Sequence, residues 1–200
     1  MNRLIYLTED IMPASHSEMG PGDPLIKRVA DDVIFLNLIA PGAPIHVLID
    51  TDGGHLKTAL ALYDIFSSSV SPIYTYGLSE VSSAGVLIYS VGAKRYAFPN
   101  TQFMTHPGVL QMTANEHEYK ATSEYLTQQA DLSKKLTKKV LKIGKKKYDE
   151  LYAKTTYFGV DFAKKIKLVT DVIRTLPAGL VSGAMEYEVE AIPVKMVPDE

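Results

Sequence analysis

Short, nearly continuous apolar runs alternate along this chain with stretches whose apolar residues recur at helical spacing. "RLIYLT" (3–8) alternates and is rich in β-formers, which predicts a strand. The proline- and glycine-rich "MPASHSEMGPGDP" (12–24) predicts an exposed loop. Over 25–40 the apolar positions Leu25, Val29, Val33 and Leu36 fall on one helical face, and "PGAP" ends the element. "PIHVLID" (44–50) is the run expected of a strand covered on both faces. After "TDGG", residues 55–69 place Ala59, Leu62, Tyr63 and Phe66 on the inner face of a helix. "PIYTYGL" (72–78) repeats the buried-strand pattern, and "SAGVLIYSVGA" (83–93) predicts an apolar helix. "KRYAFPNTQFMTH" (94–106) predicts two short strands around a Pro-Asn turn.

From Asn115 to Ile143 the pattern becomes that of one long helix. Its apolar stripe is Leu132, Leu136, Val140 and Ile143, and eight lysines between Lys134 and Lys147 lie on its other faces. Such a helix is expected to protrude and pack on another subunit. "DFAKKIKLVTDVI" (161–173) predicts a last helix and strand, and the tail 176–200 carries a strand-like segment without an evident place. Strand and helix alternating in this way predict an α/β fold built on a parallel sheet with right-handed crossovers.

Composition narrows the function classes. With 200 residues, 46% of them hydrophobic, the chain suits one domain with a substantial core. The net charge of −2 gives no global attraction to nucleic acid or anionic membranes. The lysines lack the interleaved aromatic platform of a single-strand binder and read as a solvated face. There is no cysteine, so disulfides and thiolate chemistry are excluded. No apolar run has the length of a membrane span, and the first residues do not form a signal peptide, so cytoplasmic residence is the expectation.

Three candidates for chemistry fall at predicted strand ends, where open α/β folds hold their sites. Gly53-Gly54 lets a backbone approach a ligand and present bare N–H groups, or simply makes a tight turn. Ser82 and Ser83 precede a helix, where a serine caps the end or serves as a nucleophile beside the donors of the helix N-terminus. Val81 stands where a G-x-S-x-G elbow would need glycine. His106 closes "TQFMTH" and is a structural histidine or a general base. His16, His46, His55 and His117 are weaker candidates, and no Asp/Glu/His cluster has metal-ligand spacing, so neither metal nor cofactor is expected. The order is more telling than the pieces: a donor pair, then a serine, then a histidine 23 positions on, each at a strand end.

The same residues resemble the proteolytic subunit family of the Clp protease, serine peptidases of the crotonase-like superfamily. "IDTDGGHLKTALALYDIF" is similar to that family's "INSPGG…AG.AIYD" segment. "IYTYGLSEVSSAGVLIYSVGAKRYAFPNTQFMTH" aligns with its "V.T…G.AASMGA.LL.AG.KGKR…PNS..MIH" segment. The resemblance runs from about Arg3 to Ile173 and is densest over 44–106. It implies a fold of repeated ββα units with a protruding long helix, covering 1–175, with 12–24 as an inserted loop and 176–200 as a tail. It implies Ser83 as nucleophile, His106 as general base, and the N–H groups of Gly54 and Ala84 as the oxyanion hole. Ser82, alanine in the family, is left to capping or packing. Peptide or unfolded-protein substrates, stacked seven-membered rings joined near the long helix, and an ATP-driven unfoldase as partner are implied as well.

The sequence also departs from the family. Where the family has its catalytic aspartate in a "D-R-D-x-F" context, this chain reads "AKTTYFGVDFA", so Thr155 or Thr156 takes the position, Thr156 being the expected third member. Asp149, Glu150 and Asp161 are acids nearby but out of register, and Asp161 is expected to cap or open the next helix. His46 and Leu48 stand where the family often carries tyrosines that receive unfoldase loops. A catalytically silent ring subunit and a crotonase-fold acyl-CoA enzyme therefore remain as alternatives to a serine endopeptidase.

Overall fold

The apolar run after Pro44 forms the strand around which the rest is built. The structure, a computed structural model, describes residues 3–12, 23–107, 118–141, 143–177 and 180. In it, β2 (Ile45–Thr51) lies between β1 (Leu4–Leu7) and β3 (Ile73–Ser82), parallel to both. Along β2 and β3 the side chains alternate between two cores, as a pleated strand requires. Ile45, Val47, Ile49 and Ile73 join the larger core with the apolar faces of the helices. Leu48, Tyr74 and Tyr76 join a smaller one with Tyr96, Ile173 and Leu180.

The first helix, α1 (Pro24–Ile39), buries Leu25, Val29, Val33 and Leu36, the stripe that its spacing predicts. Asp23 caps it, its carboxylate accepting from the N–H groups of Leu25 and Ile26, with Pro24 at the first helical position. At its other end the buried Arg3 guanidinium donates to the carbonyls of Leu36, Ala43 and Pro44, at 2.6, 2.8 and 3.0 Å, tying β1 to the α1–β2 connection. The second helix, α2 (Leu56–Ser67), buries Ala59, Leu62 and Phe66, with Tyr63 half-buried. The third, α3 (Ala84–Ser90), is buried along its whole length.

Strand β3 runs four residues beyond the expected end at Leu78, and this extension organises the site. Its first part, Tyr74–Gly77, pairs with β4 (Lys94–Ala97), and its last part, Glu80–Ser82, pairs with β5 (Gln102–Thr105). Both partners are parallel to β3, so the Pro-Asn turn joins two strands that meet the same neighbour in succession instead of forming a hairpin. Buried Thr101 fills the junction, its hydroxyl 2.9 and 2.6 Å from the carbonyls of Gly77 and Leu78.

The long helix is shorter than its periodicity predicts: α4 spans Tyr119–Val140, Leu141 leaves with extended backbone, and α5 (Lys145–Tyr152) follows. Its inner face also differs from the expected stripe, because Leu132 is 42% exposed while Thr137 is buried. The sequence reading missed β6 (Thr156–Gly159), which pairs antiparallel with β5. A short α6 (Val160–Lys165), with Asp161 in its first turn, and β7 (Asp171–Val172) beside β4 complete the described fold. No described helix is long and apolar enough to cross a membrane. The loop expected over 12–24 and the tail beyond 176 lie largely outside the described residues.

Candidate active site

Two parallel neighbours, β3 and β5, end side by side and carry Ser83 and His106 just past their ends. The Ser83 N–H donates to the Met104 carbonyl at 2.8 Å, so the β5 strand holds the serine's own backbone. Ser83 has φ of 53°, a left-handed conformation that costs a non-glycine residue roughly 1–3 kcal/mol. Its side chain makes no cap to α3; instead its Oγ lies 2.6 Å from His106 Nε2. Both side chains are half-buried and line one cleft.

Ser82 behaves differently. It is fully buried, and its hydroxyl donates to Glu80 Oε1 at 2.6 Å. Of the two roles expected for it, packing is the one observed, and capping is not. The pleat explains the division, since adjacent residues at a strand end present their side chains to opposite faces.

The Gly53-Gly54 turn runs between Ile11 and Ser83. A Cβ on Gly53, at φ +101°, would sit 2.7 Å from the Ser82 carbonyl oxygen and from Ser83 Cβ. A Cβ on Gly54, at φ +133°, would sit 2.3 Å from the Ile11 carbonyl oxygen. Both glycines are therefore sterically required. The bridge to Ile11 uses the Gly53 carbonyl and the His55 N–H, at 2.7 and 2.5 Å. That leaves the Gly54 N–H on the edge away from Ile11. Ala84 opens α3, so its N–H is one of the donors that a helix cannot satisfy internally.

Thr156 opens β6 opposite Thr105 in register, which sets it beside the strand end that carries His106. Its hydroxyl donates to the Lys154 carbonyl at 3.1 Å, leaving the oxygen able to accept. Asp149 and Glu150, on α5, are engaged by Lys145 and Lys147 at 2.6 and 3.4 Å on the exposed surface. A hydrogen bond from the Thr105 hydroxyl to the Leu151 carbonyl, 2.9 Å, locks the end of β5 to α5.

The cleft is about 670 Å³. The sequence reading missed much of its lining: Lys57 on α2, Leu126, Ser133 and Thr137 on α4, and Tyr152 on α5. With Gln129 and Ala130, the α4 set has the three- and four-residue spacing of one helical face, a signal obscured because its members are partly polar. His55 lies at the cleft with Nδ1 3.0 Å from the Thr58 hydroxyl. His46 is instead buried in β2, with Nδ1 2.8 Å from the Tyr76 hydroxyl; burial and the Arg3 charge push its pKa down to about 4. His16 and His117 lie outside the described residues. Among the described residues no group of three or more His, Asp or Glu could hold a metal ion.

Comparison with known proteins bears on the family and the fold. The sequence model of the Clp protease family matches residues 18–175. The ATP-dependent Clp protease proteolytic subunit of Bdellovibrio bacteriovorus is 32% identical over 90 residues, covering 44% of this chain and 42% of that protein. The proteolytic subunit 2 of Chlamydia trachomatis is 33% identical over 86 residues, 42% of each chain. These alignments span about two-fifths of the length of the curated relatives. A solved structure of a ClpP1 mutant from Listeria monocytogenes superposes with a TM-score of 0.73 at 19% identity, over 86% of this chain and 92% of that one, and shares the fold. With the match of the family's sequence model extending over most of its length, the chain belongs to the Clp protease family.

Proposed function

We propose that the chain is a serine endopeptidase subunit that cleaves peptide bonds through an acyl-enzyme. The contact that carries this reading is the 2.6 Å approach of Ser83 Oγ to His106 Nε2, made by a serine held in strained backbone instead of capping its helix. Ser83 Oγ attacks the substrate carbonyl carbon while its proton passes to His106 Nε2. The oxyanion is met by the N–H groups of Gly54 and Ala84. His106 then returns the proton to the departing amine as the C–N bond breaks, and water, deprotonated by His106, releases the acyl group. Thr156 stands as the third member, fixing the imidazole by accepting from its other nitrogen. No thiolate or metal is called for.

Residues 1–175 form the peptidase unit in this reading, and 176–200 a tail. The family resemblance and the exposed apolar residues of α1, Ile34, Phe35, Leu38 and Ile39, support assembly of subunits into rings. The neutral Thr156, where the family has an acid, favours a second reading, a catalytically silent ring subunit. Labelling with a fluorophosphonate, which acylates only an activated serine, separates the two. The active subunit is modified at Ser83 and loses the label in His106→Ala; an unlabelled protein that still assembles normally is the silent one.

A further inference from the structure

The cleft has a charge character that the chain as a whole lacks. Lys57, in the first turn of α2, is exposed, and among the described residues it takes part in no ion pair. Lys134 reaches the same cleft from α4; its contact to Asp131, 3.7 Å, is exposed to water and weakened by salt. Among the described residues no Asp or Glu lines the cleft, although the whole sequence carries a net charge of −2. The remaining wall is largely apolar, through Leu56, Leu87 and Leu126. A groove lined by one sign of charge between low-dielectric walls concentrates its field on whatever enters.

Resting on the peptidase reading, we infer that this cleft selects peptides with acidic side chains beside the bond to be cut, Lys57 and Lys134 being the residues that set the preference. Each ammonium sits on a flexible four-carbon stem, which can follow a carboxylate without demanding one fixed geometry. The result is a preference for a class of substrate, not for one residue at one position.

The test uses the full chain with Ser83→Ala, which leaves peptides uncut, and two fluorescent peptides differing only by Glu or Gln around the expected bond. Anisotropy should give a Kd for the Glu peptide about five-fold or more below that of the Gln peptide at low ionic strength. The ratio should shrink as salt rises, and Lys57→Gln and Lys134→Gln should each lower it. Equal affinities, or tighter binding of the Gln peptide, overturn the inference. Turnover by the unaltered protein keeps the two ideas apart. If both peptides are cut with the same kcat/KM, the preference falls and the peptidase stands. If the Glu peptide binds more tightly yet neither is cut, the peptidase reading falls and the preference stands.

Discussion

Ser82 pairs with Met104 in register, and the residue after it, Ser83, donates its own N–H to the Met104 carbonyl at 2.8 Å. One ladder thus fixes both the serine and the strand whose last residue, Thr105, precedes His106. Residues 84–101 could take other paths, but the parallel pairing of β3 with β5 brings Ser83 and His106 together.

Removing either group should abolish turnover without unfolding the protein. Ser83→Ala and His106→Ala are each expected to lower kcat on a fluorogenic peptide by about 10³-fold or more. Melting temperatures should stay close to that of the unaltered chain, since neither side chain is fully buried. Retained turnover in either variant would refute the proposed mechanism.

The turn at Gly53 tolerates no side chain. In Gly53→Ala the methyl group meets the Ser82 carbonyl and Ser83 Cβ at 2.7 Å, on a backbone at φ +101°. The expected cost is about 2 kcal/mol or more of stability, together with a fall in kcat larger than in KM, because Ser83 is displaced. Denaturant titration and steady-state kinetics on the same preparation measure both.

An acid at position 156 should raise activity. Thr156 lies opposite Thr105 in the β5–β6 ladder, and a carboxylate there would stabilise the imidazolium that a hydroxyl cannot. Thr156→Asp is expected to increase kcat by about ten-fold or more; an unchanged or lower kcat would mean that another group orients His106.

His46 should make stability depend on pH. Its folded pKa, about 4, lies below the ordinary value of 6.5, so the unfolded chain binds the proton more readily between those values. The stability it lends is complete above pH 6.5 and is lost as pH falls towards 4. Between pH 7.5 and pH 5 the loss is about 2 kcal/mol. Urea titrations at the two pH values should show a steeper decline for the unaltered protein than for His46→Gln.

The elements with strong periodicity were legible in the sequence: β2 from its continuous apolar run, and α1 from Leu25, Val29, Val33 and Leu36. Those that depend on a distant partner were not. Residues 79–82, "SEVS", have no apolar continuity and join β3 only because β5 pairs with them; β6 is likewise made by β5. The stripe expected of the long helix held in part: Leu136 and Ile143 pack on the core, but Leu132 is exposed and the polar Thr137 is buried in its stead. At the site, strand ends brought forward the glycine pair, the Ser82-Ser83 doublet and His106 as candidates, and the family resemblance, not the spacing, chose Ser83 over Ser82. The left-handed backbone of Ser83 and the lysines facing the cleft arise from tertiary packing, which no local pattern encodes.

The partner exchange along β3 has an evolutionary consequence. Because Glu80, Val81 and Ser82 pair one for one with Gln102, Phe103 and Met104, gaining or losing one residue between Glu80 and Ser83 would move the hydroxyl out of step with the β5 end that carries His106. Descendants of this chain can change letters in that segment, but not its length; drift by insertion is left to the connections that bear no ladder.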